Sequence, residues 1–222
     1  KYIGKYRVIE KLGAGSTGNV FRAHDPFRKV DVAIKVFDPR AFEDSGDELT
    51  RTGFFAEAAL LGKLDHPHVV RVFDASTGPD DYYIVSEFVP GGTLADFTAH
   101  GRLMDIEPAL DVIFKCVKAL QYLHANGVTH RDIKPENVFV GDGTNVKLGD
   151  FGASTISGLS FSQAVMMGSP LYMSPERLEG AEANMQSDIF ALGVLAYQLL
   201  TGKRPFQANS IAALVYQMQS VT

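Results

Sequence analysis

Residues 12–20, LGAGSTGNV, space Gly13, Gly15 and Gly18 as G-x-G-x-x-G, and the segment after them constrains the fold more than any other feature. Glycine backbones approach phosphate oxygens closely and present N–H donors to them. A dinucleotide-binding unit needs a helix to open directly after such glycines. Here NVFRAHD alternates apolar and polar residues, turns at Asp25 and Pro26, and runs into VDVAIKVF, again with a period of two. The glycines therefore cap a β-hairpin. Taken alone, the motif fits a flexible hairpin turn as readily as a phosphate cradle.

The alternation covers residues 6–37. A polar stretch, DPRAFEDSGDELTRTG, leads into FFAEAALLGKLDH, where Phe55, Ala58, Ala59 and Leu61 to Leu64 suit one buried helix face. Strands return with VVRVFDAS and DYYIVSEFV, joined through TGPDD, and PGGT reads as a linker. From residue 94 helices dominate: LADFTAH, then IEPALDVIFKCVKALQYLHANG stopping at Gly127, then SDIFALGVLAYQLLTG stopping at Gly202. The expected class is α+β in two lobes. Residues 1–87 form a small antiparallel sheet with one main helix, residues 88–93 form a hinge, and residues 94–222 form a larger, mainly helical lobe.

The charge balance narrows the partners. Lys plus Arg number 21 against 26 Asp plus Glu, a net charge of −5, so no basic field is available for a nucleic acid backbone or an anionic membrane. No apolar run approaches the roughly 18 residues that span a bilayer, and the N-terminus lacks a signal-peptide core. The chain reads as cytoplasmic, without a membrane segment of its own. Cys116, the single cysteine, falls in DVIFKCVKAL, where Ile113, Cys116, Val117 and Leu120 follow helical spacing and predict a core thiol.

Two further motifs carry chemistry. In VAIK, Lys35 lies among Val32, Ala33 and Ile34, where a buried cation is costly unless an anion meets it. Glu57 on the following helix is the nearest candidate by pattern. Such a pair is either an exposed bridge worth under about 1 kcal/mol or a cation set for two phosphates. In GVTHRDIKPENVFV, Asp132 can accept a hydroxyl proton, Lys134 can neutralise a phosphoryl group in transfer, and Asn137 offers an oxygen to a hard cation. Asp150 in KLGDFGAS adds a second oxygen ligand, a set that suits Mg²⁺ bound through nucleotide phosphates.

In this order, the glycine loop, VAIK, Glu57, HRDIKPEN, DFG, SPE at 174–176 and SDIFALG resemble the protein kinase signature set, from Tyr6 to about Thr201. The likeness is to serine/threonine protein kinases, in particular the eukaryotic-like (Hanks-type) kinases of bacteria. It implies a bilobal kinase fold that moves the γ-phosphoryl group of ATP, with Mg²⁺, to Ser/Thr hydroxyls of protein substrates. The implied nucleotide contacts are the loop Leu12, Gly13, Ala14, Gly15, Ser16, Thr17, Gly18, Asn19 and Val20, together with Ala33 above adenine and Phe139 below it. Glu87 and Val89 would supply hinge backbone, and Ser86 a small side chain just before it. Lys35, directed by Glu57, would hold the α- and β-phosphates, and Asn137 and Asp150 the metal.

By the same resemblance Asp132 is the catalytic base and Lys134, two residues on, marks the serine/threonine pattern. His130 is a packing and backbone-bonding residue. Ser169 stands where the family bonds the catalytic Asp and Lys. Arg131 would pair with a phosphorylated loop residue, Ser160 or Ser162, after autophosphorylation, for which self-association is one route. Family domains continue through further helices after LLTGKRPF, so residues 94–222 read as an incomplete lobe lacking the arginine that pairs with Glu176. Two other functional classes fit the motifs less well. A pseudokinase scaffold usually loses Lys35, Asp132 or Asp150, all present here, and a small-molecule phosphotransferase would not be expected to keep GSPLYMSPE.

Overall fold

The computed structural model describes residues 1–15, 18–37, 58–77, 82–98, 102–141, 145–150 and 170–220. These fall into two compact units. One holds the described residues of Lys1–Asp65 and Val70–Phe88, and the other those of His66–Val69 and those from Val89 on.

The first unit is a six-stranded sheet in the order β1-β2-β3-β4-β6-β5. Its strands are Tyr2–Ile3 (β1), Tyr6–Gly15 (β2), Gly18–Asp25 (β3), Val30–Phe37 (β4), Val72–Thr77 (β5) and Tyr82–Glu87 (β6). Every pairing is antiparallel. The alternation buries Tyr6, Ala23, Val32, Ile34, Tyr83 and Val85 in one cluster, because successive strand residues point to opposite faces. The turn between β3 and β4 is fixed by the buried Asp25, whose Oδ1 accepts the N–H groups of Phe27 at 2.8 Å and Arg28 at 3.1 Å. This is the usual way an aspartate closes a turn on its own backbone. Of the helix expected over residues 54–66, residues 58–61 are described as helical. Ala58, Leu61 and Leu64 are buried as the pattern predicts, whereas Ala59 is exposed.

The second unit contains a three-stranded antiparallel sheet of Gly92–Thr93 (β7), Val138–Val140 (β8) and Val146–Leu148 (β9). Its helices are Ile106–Ala125 (α1), Pro175–Leu178 (α2), Met185–Thr201 (α3) and Ile211–Ser220 (α4). Residues 66–69, sequentially inside the strand-rich part, belong here. The His66 ring stacks on Tyr122 of α1 at 4.9 Å, and Leu148 N–H donates to His68 O at 2.9 Å.

Three readings need correction. Among the described residues of LADFTAH, Leu94–Phe97 form a 3-10 turn in place of an α-helix, and Thr93 N–H donates to Asp96 Oδ2 at 3.4 Å. In α1 the buried stripe is Ala109, Val112, Cys116, Ala119, Leu120 and Leu123. Val117 is 45% exposed, because one residue beyond Cys116 it turns by about 100° away from that stripe. Helix α3 starts two residues before Ser187, at Met185, since Asn184 caps it by accepting from Gln186 N and Ser187 N at 2.8 and 3.1 Å. It ends at Gly202 with φ 70°, as the glycine predicted. Among the described residues no helix is long and apolar enough to cross a membrane.

Candidate active site

In the first unit the hairpin register explains why the glycines stand where they do. Gly13 pairs with Val20, Ala14 with Asn19 and Gly15 with Gly18. Gly18 has φ 148°, and a Cβ there would strike the Val36 carbonyl and sit 2.9 Å from Phe37 Cα. Only glycine permits this close approach. Leu12, on β2, is exposed.

Register also sorts the other predicted nucleotide contacts. Val20 stands opposite Lys35, Lys35 opposite Ile84, and Ala33 opposite Ser86. Directly opposed antiparallel residues share a face, so Val20, Ala33, Lys35 and Ser86 lie together on the face opposite the core residues Val32 and Ile34. The Ser86 hydroxyl donates to Ala33 O at 3.5 Å, and the Lys35 ammonium lies 5.6 Å from the centre of the Phe37 ring. Glu87 N–H donates to Arg71 O at 2.8 Å. Ser16, Thr17 and Glu57 lie outside the described residues.

The second unit carries the denser constellation. Asp132 Oδ2 accepts Lys134 Nζ at 2.6 Å and Asn137 Nδ2 at 2.8 Å. Asn137 Nδ2 also donates to Asp132 O at 2.7 Å. With the amide nitrogen turned to two oxygens, Oδ1 of Asn137 is left as the acceptor of that side chain. Asn137 is only 2% exposed, which locks this orientation. Its backbone oxygen receives Gly149 N–H at 3.0 Å, tying the loop to the residue before Asp150. Asp150 itself adopts φ 55°, and Arg131 φ 69°. Phe139 sits on β8 opposite Thr93 and Lys147, and Val89 is buried at the start of this unit. Ser160, Ser162 and Ser169 lie outside the described residues.

His130 is completely buried and joins two parts of the site. Its Nδ1 accepts Asp132 N–H at 3.3 Å, so Nε2 carries the proton and donates to Gly149 O at 3.1 Å. Burial holds the imidazole below its ordinary pKa, against the pull of Asp188 and Asp132. A neutral, fully engaged ring is a brace and not a proton carrier.

Sequence reasoning assigned no role to Asp188. Its carboxylate is 1% exposed and accepts His130 N–H at 2.8 Å, Arg131 N–H at 2.8 Å and His124 Nε2 at 2.9 Å. Arg177 was also missed, and its Nη1 donates to Arg131 O at 2.6 Å. An acid within SDIFALG, a segment bound for the core, was the available signal for Asp188.

Comparison with known proteins identifies the family. The protein kinase domain family matches residues 6–221. The serine/threonine-protein kinase PrkC of Bacillus subtilis is 37% identical over 214 residues, which cover 95% of this chain and 32% of PrkC. The serine/threonine-protein kinase PknL of Mycobacterium tuberculosis is 34% identical over 215 residues, covering 96% of this chain and 53% of PknL. Rad53 1–466, solved in complex with AMP-PNP, superposes with a TM-score of 0.77 at 29% identity, covering 96% of this chain and 53% of that one. The chain thus spans about a third to a half of the length of these relatives. It belongs to the protein kinase domain family, and the relatives it matches there include bacterial serine/threonine-protein kinases.

Proposed function

We propose that the chain catalyses transfer of the γ-phosphoryl group of ATP to serine and threonine hydroxyls of proteins. The observation that carries this reading is the Asp132 carboxylate held by Lys134 and Asn137 at 2.6 and 2.8 Å. Both bonds fall on Oδ2, so Oδ1 is the oxygen offered to the substrate hydroxyl. As the hydroxyl oxygen bonds to phosphorus and the bond to the leaving ADP oxygen breaks, the hydroxyl proton passes to Asp132. Lys134 stays beside the incoming phosphoryl oxygens, where positioning and charge compensation account for most of the catalysis in this reaction class.

Asn137 Oδ1 and the Asp150 carboxylate are hard oxygen donors, and no group of three or more His, Cys, Asp or Glu able to hold a metal occurs among the described residues. Two protein oxygens with the rest of the shell left to phosphate and water fit Mg²⁺ and not zinc. Asn137 and Asp150 would hold Mg²⁺, which would supply positive charge against that of the phosphate oxygens. The sheet face bearing Val20, Ala33, Lys35 and Ser86 serves the nucleotide, with Lys35 on its phosphates and the small Ser86 leaving room beside adenine. Autophosphorylation at Ser160 or Ser162, read by Arg131, is the regulatory part of this proposal, and the cytoplasm, where ATP is held, is its compartment.

Incubation with radiolabelled ATP tests the reading. Label should reach the protein itself and myelin basic protein when Mg²⁺ is present, and should vanish with excess EDTA. Absence of label from both under Mg²⁺ would refute it.

A further inference from the structure

The peptide unit joining Arg131 to Asp132 is held at both ends. Its N–H, on Asp132, donates to His130 Nδ1 at 3.3 Å. Its carbonyl, on Arg131, accepts Arg177 Nη1 at 2.6 Å. The Arg131 N–H, in the preceding peptide unit, is taken by Asp188 Oδ1 at 2.8 Å. These three contacts surround a residue at φ 69°, a left-handed conformation that non-glycine side chains disfavour and that persists only where surrounding structure imposes it. Two of the contacts come from the catalytic segment or from α3. The third reaches in from α2, directly after the SPE motif.

Arg177 is half-buried. Burial pushes its guanidinium pKa down, opposed by attraction to Asp132 and Asp188 and reinforced by repulsion from Arg131. Arg131, Asp132, Arg177 and Asp188 line one cavity of only about 10 Å³, at the lower limit for a single water. A guanidinium kept in so confined a place is anchored by its bond to the Arg131 carbonyl. Its planar fork presents that donor in a fixed direction, which a lysine ammonium does not.

We propose that Arg177 is a positioning residue for Asp132. By fixing the carbonyl of the peptide that leads into Asp132, it sets the plane of that peptide and with it the aim of the carboxylate at the substrate hydroxyl. The inference rests on the reading of Asp132 as the base. Without the donor, the peptide plane is held only at its N–H end, and the carboxylate loses its alignment with the hydroxyl. The predicted nucleotide contacts are carried by other residues.

The test compares Arg177→Met and Arg177→Lys with the unaltered protein, using ATP, Mg²⁺ and myelin basic protein. Misalignment of this kind costs on the order of 10- to 100-fold in rate. Arg177→Met should lower kcat by that factor with KM for ATP within about twofold, and Arg177→Lys should recover part of the loss, since a cation can still reach the carbonyl. Circular dichroism and melting curves verify folding, and if the methionine variant does not fold, the lysine variant decides. A kcat within twofold of the unaltered protein in the folded variants overturns the inference, as does a rise in KM for ATP that matches the fall in kcat. Loss of all transfer in the unaltered protein would instead count against the proposed function itself.

Discussion

Asp188 Oδ1 accepts the Arg131 N–H at 2.8 Å, and this bond crosses 57 residues of sequence to hold the backbone just before Asp132. The other oxygen of the same buried carboxylate takes His130 N–H and His124 Nε2. Replacing Asp188 by alanine leaves two backbone donors without partners, each worth about 1–3 kcal/mol. The expected loss is therefore about 2–6 kcal/mol by urea denaturation, with a smaller loss for Asp188→Asn, which keeps one acceptor oxygen. Unchanged stability in Asp188→Ala would show that the carboxylate is not the anchor described.

His130 predicts a pH dependence. Burial holds its folded pKa below the ordinary value near 6.5, with Asp188, Asp132, the Gly149 carbonyl and Asp150 opposing that shift. Below about pH 6.5 the unfolded chain takes up a proton that the folded chain refuses. The His130 contribution is thus constant at neutral and higher pH and declines as pH falls below about 6.5. The stability gap between the unaltered protein and His130→Asn should narrow between about pH 6.5 and pH 5. A constant gap across that window would contradict a neutral, buried imidazole.

Two glycines of one motif should respond differently. A Cβ at Gly18 meets the Val36 carbonyl, while one at Gly13 finds nothing within 4 Å. Gly18→Ala should destabilise the protein by about 1–3 kcal/mol through backbone strain, and Gly13→Ala should change the melting temperature little. Equal shifts in the two variants would argue against the hairpin register.

Cys116 is 2% exposed, and burial pushes its thiol up to about 12. Iodoacetamide at pH 8 should therefore leave the folded protein unmodified and label one thiol per chain after denaturation, because only the thiolate reacts. Rapid labelling of the folded protein would place Cys116 outside the core.

What the sequence disclosed was whatever depends on neighbours. The period-two alternation in residues 6–37, the turn at Asp25 and the stop at Gly202 are local signals, and the structure follows them. The cluster of Asp132, Lys134 and Asn137 was legible because its members are close in sequence and distinctive in chemistry. Asp188 and Arg177 were not, since each reaches Arg131 from 57 or 46 positions away and no local period encodes such a bond. LADFTAH misled because its helix-compatible residues are ended after one turn, where Thr98 N–H folds back to Ala95 O. Val117 misled because spacing alone cannot tell which of two apolar stripes on α1 faces the core.

The most direct measurement is phosphate transfer from ATP by Asp132→Asn beside the unaltered protein, with nucleotide binding followed by a fluorescent ATP analogue. Loss of a positioned general base predicts a fall in rate of about 100- to 10,000-fold, with binding of the analogue preserved. Transfer by Asp132→Asn within about tenfold of the unaltered protein would contradict the assignment of Asp132 as the base.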